Sequence, residues 1–253
     1  MRQKSDRPQF DLHWLQPGDA FPAVDAAWPH GSEAPGLLAA GGDLRVSSLL
    51  SAYSQGIFPW YSRGQPILWW STDPRMVLQT QNFRLHRSLR KTLQAFQAAP
   101  GHDIRFDSSF AAVIHHCSGI ERSGQAGTWI LPEMVEAYTA LHRAGFAHSV
   151  ETWIDGRLVG GLYCVAIGQA VFGESMFALQ TDASKIALAA LVAFCRQHGI
   201  SMIDCQQNTR HLASLGAFEI PRQAFVRHVG DAIQQPPPVW RFEPLYWDTL
   251  RTC

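Results

Sequence analysis

The clearest alternation of apolar and polar positions lies just past the middle of the chain. Two apolar runs, Ala147–Ile154 and Arg157–Ile167, flank Asp155-Gly156, a dipeptide typical of a two-residue hairpin turn. Gly168-Gln169 then separates the second run from a third at 170–174. The pattern predicts three antiparallel strands that follow one another as a meander.

Helical periodicity surrounds this meander, with glycine or proline at several of the predicted ends. The predicted helices span 47–55, 84–99, 108–116, 132–145, 184–198, 209–215 and 222–233. A further strand is predicted at 200–206. A meander followed by helix, strand and helix predicts an α+β fold, a mixed sheet with helices packed on it. The turn cluster at 71–74 predicts a boundary between a domain at 1–73 and one at 74–253.

The strand at 200–206 carries the first candidate for chemistry. Its alternation ends with Asp204 and Gln206, two residues apart, and side chains at this spacing leave the same face of a regular strand. A carboxylate and a carboxamide would then point together. The pattern by itself favours the alternative, in which the strand ends there and its polar residues meet water.

Charge is balanced overall but unevenly distributed. The 253 residues hold 21 basic and 21 acidic side chains, so any attraction for nucleic acid must come from a local patch. The predicted helix at 84–99 carries Arg84, Arg87, Arg90 and Lys91, and no acidic residue interrupts the set. This face suits phosphate groups, although a solvated helix face is the commoner meaning of such a run.

Other features limit the class of protein. Trp60 lies in an aromatic loop, where it is either a hydrophobic plug or a platform for stacking a base. No apolar run approaches the about 20 residues that span a bilayer, and no signal peptide is recognisable, which predicts a cytoplasmic protein. The five cysteines form no Cys-x-x-Cys motif, and no metal site is predicted. Phosphate-loop, dinucleotide-binding and nucleophile-elbow motifs are absent.

The sequence resembles the leucyl/phenylalanyl-tRNA-protein transferase family in blocks that occur in family order. The blocks are Gly41-Gly42-Asp43-Leu44, Gly56-Ile57-Phe58-Pro59-Trp60, Trp69-Trp70-Ser71, Asp73-Pro74-Arg75, Gly127-Thr128-Trp129-Ile130, His148-Ser149-Val150-Glu151, Leu158-Val159-Gly160-Gly161, Gly173-Glu174-Ser175-Met176-Phe177, Ala183-Ser184-Lys185, Asp204-Cys205-Gln206 and Ser214-Leu215-Gly216-Ala217. They cover about residues 36 to 222, and a chance match of so many is implausible.

The resemblance implies a small N-terminal α/β domain and a larger C-terminal domain similar to the Gcn5-related N-acetyltransferases. It implies transfer of leucine or phenylalanine, with methionine a further candidate, from aminoacyl-tRNA to a protein that begins with Arg or Lys. The product is a peptide bond and a degradation signal of the bacterial N-end rule pathway. No cofactor and no membrane are implied, and a monomer is expected.

The resemblance also assigns roles to individual residues. Asp204, Gln206 and Glu174 match catalytic positions: the Gln206 carbonyl would orient the attacking amine, Asp204 would accept from the Gln206 amide, and Glu174 would position an amino group or support the electrostatics. Trp60 and Trp129 match the positions that stack the terminal adenosine. The pocket for the donor side chain is matched by Leu162, Val171, Leu188, Leu191 and Ile203. The family's tRNA-binding cluster is matched by Arg87, Arg90 and Lys91, and Arg84 would compensate for the cations that Gln94 and Ala95 replace.

Two alternatives stay open at this point. A CoA-dependent N-acetyltransferase would share the fold, but residues 176–184 contain no glycine for the usual pyrophosphate loop. A non-enzymatic adaptor that binds RNA or degradation signals would bind without turnover. Fold analogy is weak evidence of chemistry, so the choice among these three functions depends on the geometry of the site.

Overall fold

The structure, a computed structural model, describes residues 11–119 and 130–250. A four-stranded sheet lies in the N-terminal part, with strand order β1-β2-β4-β3. Its strands are β1 (His13–Leu15), β2 (Leu37–Gly41), β3 (Phe58–Pro59) and β4 (Leu68–Trp70). β1 and β2 are parallel, and the other pairs are antiparallel.

A seven-stranded sheet forms the centre of the remaining chain, with strand order β11-β5-β10-β9-β8-β7-β6. Its strands are β5 (Arg75–Gln79), β6 (His102–Phe106), β7 (Ala147–Ile154), β8 (Arg157–Ile167), β9 (Ala170–Ala178), β10 (Met202–Gln206) and β11 (Phe218–Ile220). All neighbours in this sheet are antiparallel except β9 and β10, which are parallel. The exceptional pair lies at the middle of the sheet.

Helices cover both faces of the large sheet. They are α1 (Val46–Ser54), α2 (Arg87–Ala98), α3 (Phe110–Ser118), α4 (Pro132–Arg143), α5 (Ala183–Gln197), α6 (Arg210–Ser214) and α7 (Arg222–Ala232). Within the described part of the chain, no helix is long and apolar enough to cross a membrane.

Two buried clusters make up the core. The first joins the small sheet to α1, α3, α4 and α7 on one face of the large sheet, and the second packs α2 and α5 on the other face. Eleven residues of α5 are buried, as expected for a helix that is apolar on nearly all sides. The domain boundary between 73 and 74 falls between β4 and β5. It stays a prediction, since the first cluster contains residues from both sides of it.

The predicted α+β class and the predicted meander are confirmed by this architecture. The meander strands pair antiparallel, and the third is longer than expected, ending at Ala178. The prediction that a helix starts at Arg84 is wrong, since α2 begins at Arg87. The reason is a tertiary contact: the Arg84 main-chain N–H donates to the Leu215 carbonyl at 2.8 Å, which holds this residue in a connecting segment.

Candidate active site

The central strands β9 and β10 separate shortly after they meet. Their registered pairs are Ile203 with Val171 and Asp204 with Phe172. The next residue of β9, Gly173, lies so close to β10 that an added Cβ would stand 3.3 Å from the Asp204 carbonyl oxygen. Beyond this point β9 stays paired with β8 but no longer with β10, and a cavity of about 400 Å³ opens between β9 and β10.

The cavity has an apolar wall and a polar wall. Leu162, Leu188, Leu191 and Ile203 supply apolar surface from β8, α5 and β10, and Glu174, Asp204 and Gln206 supply polar groups from β9 and β10. Most of these side chains come from regular elements packed in the core, which fixes their positions. An apolar pocket with a few converging polar groups is the usual form of a small-ligand site.

Asp204 is paired rather than free. Arg75 on the adjacent strand β5 grips it with a two-point fork, in which Nε donates to Oδ1 at 2.8 Å and Nη2 donates to Oδ2 at 2.7 Å. Both side chains are about 1% exposed. Both oxygens of the carboxylate are therefore occupied by the guanidinium fork.

Gln206 departs from the geometry that the alternating pattern predicts. A bulge interrupts the pairing of β10 with β5 between Asp204 and Gln206, and Gln206 has a φ of 54°. Regular alternation is therefore interrupted between the two residues, while both of them line the cavity. The hydrogen bond to the Asp204 Oδ1 comes from the Gln206 main-chain N–H, at 3.0 Å, while the side-chain Nε2 is buried without a partner in the described residues.

Glu174 is bound by two tyrosines from different helices. Tyr53 of α1 donates to Oε1 at 2.7 Å and Tyr138 of α4 donates to Oε2 at 3.3 Å, while the two phenol oxygens lie 2.5 Å apart. Burial raises the pKa of Glu174 to about 7, and the Asp204 charge acts in the same direction, whereas both tyrosine hydroxyls and Arg75 favour the ionised form. Glu174 is therefore a carboxyl group that changes charge close to neutral pH.

Trp60 follows β3 and lines the same cavity. Its indole packs against Trp70 with ring centroids 5.5 Å apart, and the Trp70 Nε1–H donates to the Trp60 carbonyl at 2.6 Å. The Trp60 side chain is partly buried. An aromatic face beside an apolar pocket suits a base or another flat group.

Sequence comparison then decides the family. The model described as "Leucyl/phenylalanyl-tRNA protein transferase" matches residues 77–230, and the model for the N-terminal domain of the same transferase matches 42–73. The chain belongs to the leucyl/phenylalanyl-tRNA protein transferase family. Relatives with that transferase name are 63% identical in Polaromonas sp., over 95% of this chain and 94% of that protein, and 60% identical in Leptothrix cholodnii, over 94% and 95%.

Two solved structures show a distant likeness to this chain. FemX superposes with a TM-score of 0.42 and 12% identity, over 72% of this chain and 70% of that chain. A GCN5-related N-acetyltransferase from Kribbella flavida gives a TM-score of 0.33 and 11% identity, over 67% and 59%.

The residues assigned by resemblance to the transferase family fall in several places. Leu162, Leu188, Leu191 and Ile203 line the cavity, while Val171 is buried behind it in register with Ile203 and is not among the lining residues. Trp129 lies outside the described residues. The basic side chains Arg84, Arg87, Arg90 and Lys91 are exposed, on α2 and just before it. Their roles stay predictions.

Three residues beside the site were not among the predicted site residues. Arg75, Tyr53 and Tyr138 contact Asp204 and Glu174 directly. Arg75 had a signal in the sequence, since it stands in the family block Asp73-Pro74-Arg75 and opens an apolar run. An arginine at the start of an apolar run is buried only where an acidic or hydrogen-bonding partner pairs with it. The tyrosines carry no comparable local signal.

Proposed function

We propose that this protein transfers leucine or phenylalanine, with methionine a further candidate, from aminoacyl-tRNA to the N-terminal Arg or Lys of an acceptor protein. The split between β9 and β10 is the observation that carries the proposal, because it places an apolar pocket beside a carboxamide and a titratable carboxylate. The names of the relatives support transfer from aminoacyl-tRNA to protein. We infer that the modified protein becomes a substrate of the N-end rule pathway in the cytoplasm.

The reaction needs orientation more than strong base catalysis. The donor ester is already activated, and an α-amino group with a pKa of about 7.7–8.0 is partly unprotonated near neutrality. The α-ammonium loses one proton, the amine nitrogen bonds to the ester carbonyl carbon, and the ester C–O bond breaks. The second proton of the nitrogen then passes to the leaving ribose oxygen, which gives an amide and a free hydroxyl.

The cavity residues suit separate parts of this reaction. The apolar wall would hold the donor side chain and exclude β-branched residues by shape, because a branch places a methyl group where the wall stands. The Gln206 carbonyl oxygen would accept a hydrogen bond from the amine and direct its lone pair at the ester. Glu174 would receive the proton that the α-ammonium releases, since it titrates near the required pH.

The basic side chains would place the tRNA acceptor arm. The segment before α2 is bonded to the end of α6, where the Arg84 N–H meets the Leu215 carbonyl and the His86 Nε2 lies 2.7 Å from the Ser214 carbonyl oxygen. α6 in turn supplies His211 and Leu212 to the cavity. Only one short helix therefore separates the positive face from the pocket, a distance that a single-stranded 3′ end could cover.

A transfer assay tests the proposal. Purified protein, radiolabelled leucyl-tRNA and a peptide with N-terminal Arg should yield labelled peptide, while the N-acetylated peptide and valyl-tRNA should not react. Acetyl-CoA replaces the charged tRNA in a parallel reaction. Labelling from acetyl-CoA, or binding of both substrates without transfer, would replace the proposal with one of the two alternatives.

The acetyl-CoA arm is expected to be negative. An acetyl-CoA pyrophosphate would occupy the N-terminus of α5, where backbone N–H groups point outward. Here the residue before α5 is Asp182, in a left-handed conformation, with its carboxylate 2.6 Å from Lys185. The Lys185 charge at this helix end is thus already paired with a carboxylate and is not free for a pyrophosphate.

Replacing Arg87, Arg90 and Lys91 together by alanine should weaken tRNA binding and reduce its salt dependence. Each lost phosphate contact lowers the slope of log K against log salt by about 0.7–0.9, so the slope should fall by about 2–3. Titrations at several salt concentrations measure it. The matched control replaces the exposed arginines Arg143, Arg157 and Arg227, which lie on other elements. Equal slopes for the two triple variants would refute the phosphate role.

A further inference from the structure

Arg75 uses its whole guanidinium group beneath the cavity. Besides the two bonds to Asp204, its Nη1 donates to the Gly56 carbonyl at 3.2 Å. Its flat face lies between the rings of Phe58 and Phe225, with centroid distances of 4.7 and 4.5 Å. The orientation of this side chain is therefore fixed from every side by the small sheet, α7 and β10.

Asp204 connects the fixed guanidinium group of Arg75 to Gln206, the next polar residue of the site. Its Oδ1 accepts from the Arg75 Nε at 2.8 Å and from the Gln206 main-chain N–H at 3.0 Å. Oδ2 accepts from the Arg75 Nη2 at 2.7 Å. The carboxylate cannot rotate without breaking the fork, so the Gln206 N–H is held at a defined place.

Gln206 needs such support because its backbone is left-handed. A φ of 54° is uncommon for a residue with a side chain and persists only where the surroundings hold it. The carbonyl on the other side of the same residue accepts from the Thr72 hydroxyl at 3.2 Å. Both peptide groups of Gln206 are thus anchored, and the anchored backbone sets the direction in which its carboxamide enters the cavity.

We propose that Arg75 is a positioning residue for the transfer reaction, acting through the Asp204 carboxylate and the Gln206 backbone to aim the Gln206 carboxamide. Asp204 then connects Arg75 to the Gln206 main chain at the end of β10. The proposal rests on the proposed function in one respect, because it takes the amine of the acceptor protein as the group that binds the Gln206 carboxamide in the cavity.

Arg75→Lys separates positioning from simple charge balance. Lysine keeps the positive charge but has a compact ammonium group that cannot grip both carboxylate oxygens in the fork geometry. Turnover should fall about 10- to 100-fold, the range expected when a reacting group is misplaced by about 1 Å. Affinity for leucyl-tRNA should not change. Arg222→Lys is the matched control, because Arg222 is also buried, binds the Ser71 carbonyl at 2.9 Å and makes no contact with Asp204.

A double-mutant cycle with Gln206→Ala tests the route. If Arg75 acts through Gln206, Arg75→Lys should cost little further turnover once the carboxamide is gone, so the two losses are not additive. Additive losses, or full activity of Arg75→Lys, would overturn the proposal while leaving the transfer function intact. If Arg75→Lys does not fold, the double replacement Arg75→Met with Asp204→Leu takes its place in the cycle, because it removes the same anchor of Gln206 and leaves no buried charge unpaired. Additivity there overturns the proposal equally.

Hydrogen exchange at the Gln206 amide provides a readout that does not depend on transfer. The Gln206 N–H should exchange faster in Arg75→Lys than in the wild type and in Arg222→Lys, because its acceptor is no longer fixed. Unchanged protection contradicts the proposal even if the wild-type protein fails the transfer assay. Failure of the wild type in that assay, with the exchange result as expected, rejects the proposed function alone.

Discussion

Replacing Asp204 by alanine is expected to lower the free energy of unfolding by about 3–5 kcal/mol, in addition to its effect on turnover. The variant leaves the Arg75 guanidinium buried beneath the cavity without its ionic partner. Urea unfolding followed by circular dichroism measures the loss. The control is Asp103→Ala, which breaks a pair with Arg105 that is about half exposed and should cost about 0–1 kcal/mol.

A second variant separates the stabilising role of the pair from its role in the reaction. Arg75→Met combined with Asp204→Leu removes both charges, and apolar replacements of a buried pair commonly regain the lost stability. This double variant should unfold near the wild-type urea concentration and remain almost inactive, since the Gln206 main-chain N–H then has no carboxylate acceptor to hold it. If Asp204→Ala is as stable as the wild type, the buried pair does not hold the two strands together.

Much of the large sheet follows from local sequence. The Asp155-Gly156 turn predicts β7 and β8 with the bounds that the structure shows, because a two-residue turn fixes the strands on either side of it. β5 was not predicted, because its strand character depends on distant residues and not on local sequence. It begins with an arginine after a proline, and its strand character comes from pairing with β10 and β11, which lie far along the chain.

The candidate site shows the same division between local and distant causes. Family resemblance placed Asp204, Gln206 and Glu174, and all three line one cavity. It did not supply the partner of Asp204, because Arg75 lies 129 residues away and no local pattern links the two. The left-handed conformation of Gln206 could not be predicted from the sequence either, since glutamine is not a residue that signals such a conformation.

Transfer by the wild-type protein should rise steeply with pH between about 6 and 8, and Glu174→Gln should lower the maximal rate and flatten this rise. Two groups lose protons over that interval, the acceptor α-amine with a pKa of about 7.7–8.0 and Glu174 with a pKa raised to about 7. Glutamine removes the second and leaves only the amine. Single-turnover rates across this range, corrected for ester hydrolysis, measure the slope. An equal slope in both proteins would exclude Glu174 as the proton acceptor.

Tyr53→Phe should move the Glu174 part of the profile to higher pH. The lost hydrogen bond favours the ionised carboxylate, and a bond to a charged group contributes about 1.5–3 kcal/mol, which corresponds to a shift of about one pH unit or more. The charges of Asp204 and Arg75 and the Tyr138 hydroxyl, which also face Glu174, are unchanged. Tyr246→Phe, in the 3-10 helix Pro244–Leu250, is the control and should leave the profile in place.

At high pH, Glu174→Gln should raise the free energy of unfolding although it lowers the transfer rate. The folded protein binds the Glu174 proton more tightly than the unfolded chain, whose pKa is near 4.5, so this contribution to stability is complete below about pH 4.5 and is lost as the pH rises to about 7. Glutamine stays neutral, and the variant should therefore unfold at higher urea than the wild type at pH 8 but not at pH 4.5. A residue retained for packing alone would not leave its neutral replacement more stable and less active. That pair of results would identify Glu174 as a carboxylate kept buried for the reaction at a cost in folding stability.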